Sequence, residues 1–211
     1  MKILQALIIL FSLAFQLYGQ SEQQAVTILD KLSATVVAAP SVSMKFHLVN
    51  INQMEKTNDT IKGSVVMSKD QYRLELPNNI TWFDGSASWN YLKAEKEVTI
   101  TKPDKKDESF FSKPSAVFTL YKKGYKLRLV GEKDNLSIID LYPTDLKSDI
   151  VRIRLTIAIT PLQLLTAEYK KKDGIVITLI VDEYNLKIKP DAMTFSFNAN
   201  NYKGVEVIDM R

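Results

Sequence analysis

Trp82-Phe83-Asp84-Gly85-Ser86-Ala87-Ser88-Trp89-Asn90-Tyr91 sets large aromatic residues on both sides of one Asp-Gly turn. Asp-Gly between aromatic runs is the short-range signature of a β-hairpin, because glycine accepts the positive φ that a tight turn demands. Lys123-Gly124 and Lys172-Asp173-Gly174 repeat the signal later in the chain. Working outward from the hairpin, apolar residues alternate with polar ones. Val42, Met44, Phe46 and Leu48 interleave with Ser43, Lys45 and His47, and Tyr72, Leu74 and Leu76 with Arg73 and Glu75. Val65 and Met67, Val98 and Ile100, and Leu127 and Leu129 keep the same period. Ile153, Leu155 and Ile157 keep it against Arg152, Arg154 and Thr156. A period of two with one apolar face predicts antiparallel strands covered on one side only. About ten strands in one sheet must curl, which predicts a barrel or half-barrel.

Two segments leave this rhythm. Ser21-Glu22-Gln23-Gln24 offers an N-cap serine with glutamine three positions on. Ala25, Ile28, Leu29, Leu32 and Val36 then recur at helical spacing, so an amphipathic helix is expected to end before Pro40. Beyond a charged loop from Lys102 to Glu108, Pro114 suits the first turn of a short helix. Val117, Phe118, Leu120 and Tyr121 load one side of it. That segment reads either as a plug in the barrel end or as a movable lid.

Met1-Lys2, the apolar run Ile3 to Phe15 and the ending Leu17-Tyr18-Gly19 read as a secretory signal peptide over residues 1–19, leaving 20–211 as a single domain. The run is shorter than a membrane span requires. Removing Lys2 lowers the formal charge of +4 by one, too small an excess to argue for nucleic acid. The chain has no cysteine, which excludes a disulfide framework and thiolate chemistry in an exported protein. Stability must then come from burial.

Signals for chemistry are sparse. His47 is the one histidine, and no carboxylate lies at a local spacing that suggests a pair. A cysteine-free chain with one histidine offers only an all-oxygen metal site, and Asp104, Asp107 and Glu108 sit in a lysine-rich stretch that reads as solvated. There is no G-x-S-x-G, no phosphate-binding loop and no dinucleotide fingerprint. The expectation is a protein that is not an enzyme and uses neither cofactor nor metal.

The order of the motifs resembles the outer-membrane lipoprotein carrier family, LolA-like, in the form found among Bacteroidota. Tyr72-Arg73-Leu74-Glu75-Leu76-Pro77 precedes Asp84-Gly85 with Trp89 and Tyr91, then Glu97-Val98. Ser112-Lys113-Pro114, Asp173-Gly174 and the ending Phe195-Ser196-Phe197 to Gly204-Val205-Glu206-Val207-Ile208-Asp209 follow in the family's order. The resemblance implies a mainly β (α+β) fold: an unclosed, strongly curved antiparallel half-barrel with a helical lid on its concave face. It also implies a periplasmic chaperone that receives acylated lipoproteins from an inner-membrane lipoprotein-releasing ABC transporter and passes them to an outer-membrane acceptor. A carrier of another lipid or glycolipid, or a sensing module of the same fold, are the alternatives. Where many family members place an arginine-proline pair, this chain has Ser68-Lys69-Asp70-Gln71, so Lys69 is the candidate latch cation.

Burial of a chain of ~16 carbons is worth on the order of 13 kcal/mol, so such a guest needs an apolar wall and an empty wall needs a cover. Phe46, Leu48, Met67, Tyr72, Leu74, Leu76, Trp89 and Tyr91 are the residues expected to line the cavity. Leu29, Leu32, Val117, Phe118 and Tyr121 are expected to supply the lid, on a chain that works as a monomer.

Overall fold

The structure, a computed structural model, describes residues 2–102 and 110–211, with side chains from 20 onward except at 192. One helix, α1 (Lys2–Ala38), leads into twelve strands. The first six are β1 (Val42–Asn52), β2 (Thr57–Ser68), β3 (Gln71–Glu75), β4 (Asn79–Phe83), β5 (Ser88–Leu92) and β6 (Glu97–Thr101). After the turns of 3-10 helix at Pro114–Phe118 and Leu120–Lys122 come β7 (Tyr125–Lys133), β8 (Leu136–Pro143), β9 (Ile150–Ile159), β10 (Leu162–Lys171) and β11 (Ile175–Asn185). Two further 3-10 turns, Ala192–Phe195 and Ala199–Asn201, precede β12 (Glu206–Asp209).

All twelve strands join one curved, open sheet in the order β12-β6-β5-β4-β3-β2-β1-β11-β10-β9-β8-β7. Every pairing is antiparallel except β12 beside β6. The strands form two meanders, β1 to β6 and β7 to β11, sewn together where β1 meets β11. That topology dictates the cover. Because β6 and β7 lie toward opposite ends of the sheet, the chain between them must cross a whole face. It crosses the concave one, carrying Pro114–Phe118 and Leu120–Lys122. The return from β11 to β12 crosses the other face with Ala192–Phe195 and Ala199–Asn201. Each face is thus roofed by one connection.

Three sequence expectations change. The second helix is a pair of 3-10 turns, interrupted at Thr119 (φ −131°). Ser21 caps nothing, since α1 runs through it. Its hydroxyl donates to the Leu129 carbonyl (3.2 Å) and accepts from the Leu129 N–H (3.1 Å), covering backbone groups on the sheet's outermost strand, β7. The strand count rises to twelve, because β12, only four residues long, carries too little pattern to be read locally.

Gly63 is fixed by packing. It lies opposite Phe46, and a Cβ there would come within 2.7 Å of both Phe46 Cζ and Leu76 Cδ2 and 3.0 Å of the Glu75 carbonyl. Only a bare backbone lets those two side chains close over β2. Gly63→Ala is expected to cost about 1–3 kcal/mol through overpacking, read as a lower urea midpoint at unchanged m-value.

Candidate functional site

Strand register decides which residues share the concave wall. Val42, Met67 and Tyr72 align across β1, β2 and β3, as do Met44, Val65 and Leu74 one step along. Phe46 and Leu48 continue the row on β1, and Leu76 packs on it from beyond β3. All are buried, Phe46 and Leu74 to 1% exposure, except Leu76, which is half-buried. Onto the same cluster pack Leu29 and Leu32 from α1 and Val117, Phe118 and Tyr121 from the crossover. Six of the eight wall residues expected from sequence, and all five of the lid residues, therefore meet in one apolar body. Ile139, Leu141, Ile153, Leu155, Ile157 and Leu179 extend the wall on the other meander. Their alternation marks them as strand residues, but nothing local says that both meanders face one helix.

Trp89 and Tyr91 lie elsewhere. Trp82 pairs with Trp89 and Ile80 with Tyr91, while Tyr72 pairs with Phe83, so the tryptophans share the face of Arg73, not that of Leu74. There they pack beneath the C-terminal segment. The Trp82 ring centroid is 5.6 Å from Phe197 and 5.7 Å from Tyr202, and Tyr91 is 4.8 Å from Tyr202. The Arg73 guanidinium sits 5.9 Å over Trp82 and is held by Glu75 at 2.7 Å. The aromatic hairpin faces a second, small core, separate from the concave interior. Its turn is held locally: Asp84 accepts from the Ser86 N–H (2.8 Å) and the Ala87 N–H (2.9 Å), with Gly85 at φ +99°. Burial pushes the Asp84 carboxyl up, but these bonds outweigh it and leave it below the ordinary value.

The cover is mostly apolar, with few polar ties. Tyr121 Oη donates to Asp30 Oδ1 at 2.6 Å, joining the crossover to α1. Burial, reinforced by that carboxylate, pushes the Tyr121 phenol up to about 12. The folded pKa exceeds the unfolded value of about 10, so this stabilisation is complete below pH ~10 and is lost as pH rises toward 12. Tyr121→Phe is expected to cost about 1 kcal/mol at neutral pH and to weaken the alkaline loss of stability, seen in melts recorded between pH 8 and 12. Tyr169 and Tyr184, also raised by burial, keep their share of that loss.

Beside this cover lies a cavity of about 420 Å³. Val36, Val42, Met67 and Phe118 line it, and Lys69 with Asp70 from the β2–β3 turn, Lys113 and Ser115 stand at its edge. Its volume falls in the range of small-molecule sites, about 300–1,000 Å³. The structure thus places Lys69, at φ +52°, on the cavity rim, and among the described residues it makes no ion pair. Val36 and Lys113 are absent from the sequence-based site. The helical spacing of Val36 is the signal that could have found it.

His47 does have a carboxylate partner: its Nδ1 is 2.9 Å from Asp182 Oδ1, a pairing across β1 and β11 that local spacing hides. It lies on the outer face. Among the described residues no group of histidine and carboxylate side chains is arranged to hold a metal. Asp104, Asp107 and Glu108 fall outside the described residues.

An open antiparallel sheet, curled around an apolar face that only a helix and one crossover cover, is the architecture of a half-barrel binding protein. The chain belongs to the family of the outer membrane lipoprotein carrier protein LolA, which matches residues 15–162. No curated protein matches it. Among solved structures, an uncharacterized conserved protein from Thermus thermophilus superposes with a TM-score of 0.59 at 16% identity, over 88% of this chain and 99% of its own. A putative outer membrane lipoprotein-sorting protein domain from Vibrio parahaemolyticus gives 0.47 at 11% identity, over 86% and 99%. At 16% identity the first likeness is one of fold.

Proposed function

We propose that this protein is a periplasmic chaperone that buries the acyl chains of lipoproteins against its concave wall and ferries them from the inner to the outer membrane. The observation that carries the reading is the nature of the cover. Leu29, Leu32, Val117 and Phe118 meet the wall through apolar contact, and the side-chain ties at Tyr121–Asp30 and Ser21–Leu129 are few. A guest acyl chain replaces one apolar neighbour by another, so opening costs little once the guest is in place. Without it, the exposed wall meets water. The donor is an ABC transporter of the inner membrane and the recipient an outer-membrane acceptor. Residues 1–19 act as the export signal and are removed. Among the described residues no helix is long and apolar enough to cross a membrane.

The test is to mix the purified protein with a synthetic triacylated lipopeptide and follow the complex by native mass spectrometry, then offer it lipopeptide in donor vesicles with empty acceptor vesicles present. A one-to-one adduct and accelerated transfer are expected. Protein that takes up neither lipopeptide nor a free lipid, by either assay, would sink the reading. Uptake of lipid with rejection of lipopeptide would move the cargo to another amphiphile.

A further inference from the structure

The cavity beside the cover changes character from its inner wall to its mouth. Val42, Met67 and Phe118, at 3%, 4% and 3% exposure, form the interior, and Lys69, Asp70 and Lys113 stand at the edge. The two lysines belong to different elements, Lys69 to the turn between β2 and β3 and Lys113 to the start of the crossover's first 3-10 turn. The turn is anchored, since Ser68 Oγ donates to the Pro40 carbonyl at 2.9 Å where α1 hands over to β1. Neither lysine forms an ion pair among the described residues. Two cations and one carboxylate leave the mouth with an excess positive charge, while Ser115 and Thr119 add hydroxyls beside it. An apolar interior with a cationic mouth complements an amphiphile of the opposite polarity pattern.

We infer that this cavity takes a lipid whose acyl chain lies along Val42, Met67 and Phe118 and whose head carries one anionic group, a carboxylate or a phosphate, held between Lys69 and Lys113. The inference rests on the acyl-binding reading above and narrows it to a charge class. A neutral head gains nothing from the lysines, whereas an anion gains two charge-assisted contacts that salt weakens.

The matched probes are 1-palmitoylglycerol, its 3-phosphate and palmitate, titrated calorimetrically into the full chain at low and high ionic strength. Both anions are expected to bind about fivefold more tightly than the neutral lipid at low salt. That ratio is expected to fall toward one in high salt and in the double variant K69N/K113Q. Asparagine is chosen at 69 because it tolerates positive φ. The single variant K113Q, which leaves the turn untouched, provides the same test if the turn variant loses stability. A preference for only one of the two anions identifies the head group as carboxylate or phosphate. Equal binding of all three probes to the unmodified protein, or a preference that survives both variants, overturns the inference and leaves the carrier reading intact. Binding of none overturns both.

Discussion

Leu74→Glu is expected to unfold the protein, not to yield a folded chain with an impaired site. Leu74 is 1% exposed, centred on the wall between Val65 and Thr81 of the neighbouring strands. Loss of a core leucine alone costs about 2–5 kcal/mol, and the incoming carboxyl must either ionise in an apolar body or be held protonated well above its ordinary pKa. Against a total stability of about 5–15 kcal/mol, the sum is enough to populate the unfolded chain at room temperature. Circular dichroism should show loss of the β signal at neutral pH. Partial recovery is expected near pH ~4, where the glutamate enters neutral. Leu74→Met, by contrast, conserves volume and should cost under about 1.5 kcal/mol. A Leu74→Glu protein that melts like the parent would mean the wall is hollow at this point, with room for the charge to reach water.

The contrast between Leu74 and Trp89 shows where sequence reading stops. Alternation and the Asp84-Gly85 and Asp173-Gly174 turns are enough to foresee an antiparallel sheet, and the helical spacing of Leu29 and Leu32 places a helix on it. Parity inside one strand is local, and so Tyr72 and Leu74 group together from sequence alone. Parity between strands is set by register, and the pairing of Arg73 with Trp82 moves the aromatic hairpin to the face that is polar on β3. That face is dry only because Phe197 and Tyr202, more than a hundred residues later, fold across it. No local pattern around Trp82 encodes their arrival. The His47–Asp182 pair is hidden for the same reason, its partners being neighbours only through the joining of β1 to β11. The roof is half legible: Pro114 marks a turn of helix, while its crossing of the concave face follows from where β6 and β7 sit in the sheet.

Phe118→Ala should both destabilise the empty protein and enlarge its capacity for a guest. The ring is 3% exposed, forms part of the cavity wall, and lies 6.4 Å from the ring of Tyr184 across the concave space. Truncating a buried phenylalanine costs about 3–5 kcal/mol; because this one already borders open volume, the lower figure applies, a fall in Tm of roughly 6–12 °C for a chain of this size. The hole it leaves is continuous with the existing cavity and apolar, so it suits a methylene chain better than water. Empty protein should therefore bind more of an environment-sensitive apolar dye. The discriminating quantity is the rise in Tm on adding a saturating acyl ligand. In the parent the guest must push Phe118 aside and part of its binding energy goes into that displacement; in the variant the obstacle is gone, and the guest refills the volume the ring vacated. The ligand-induced rise should thus be larger for Phe118→Ala than for the parent, restoring most of the lost stability. If the two proteins show the same rise, the guest does not pass Phe118 and the crossover is a fixed plug. If the variant's rise is smaller, the ring is itself a binding contact and its removal weakens the site it was taken to gate.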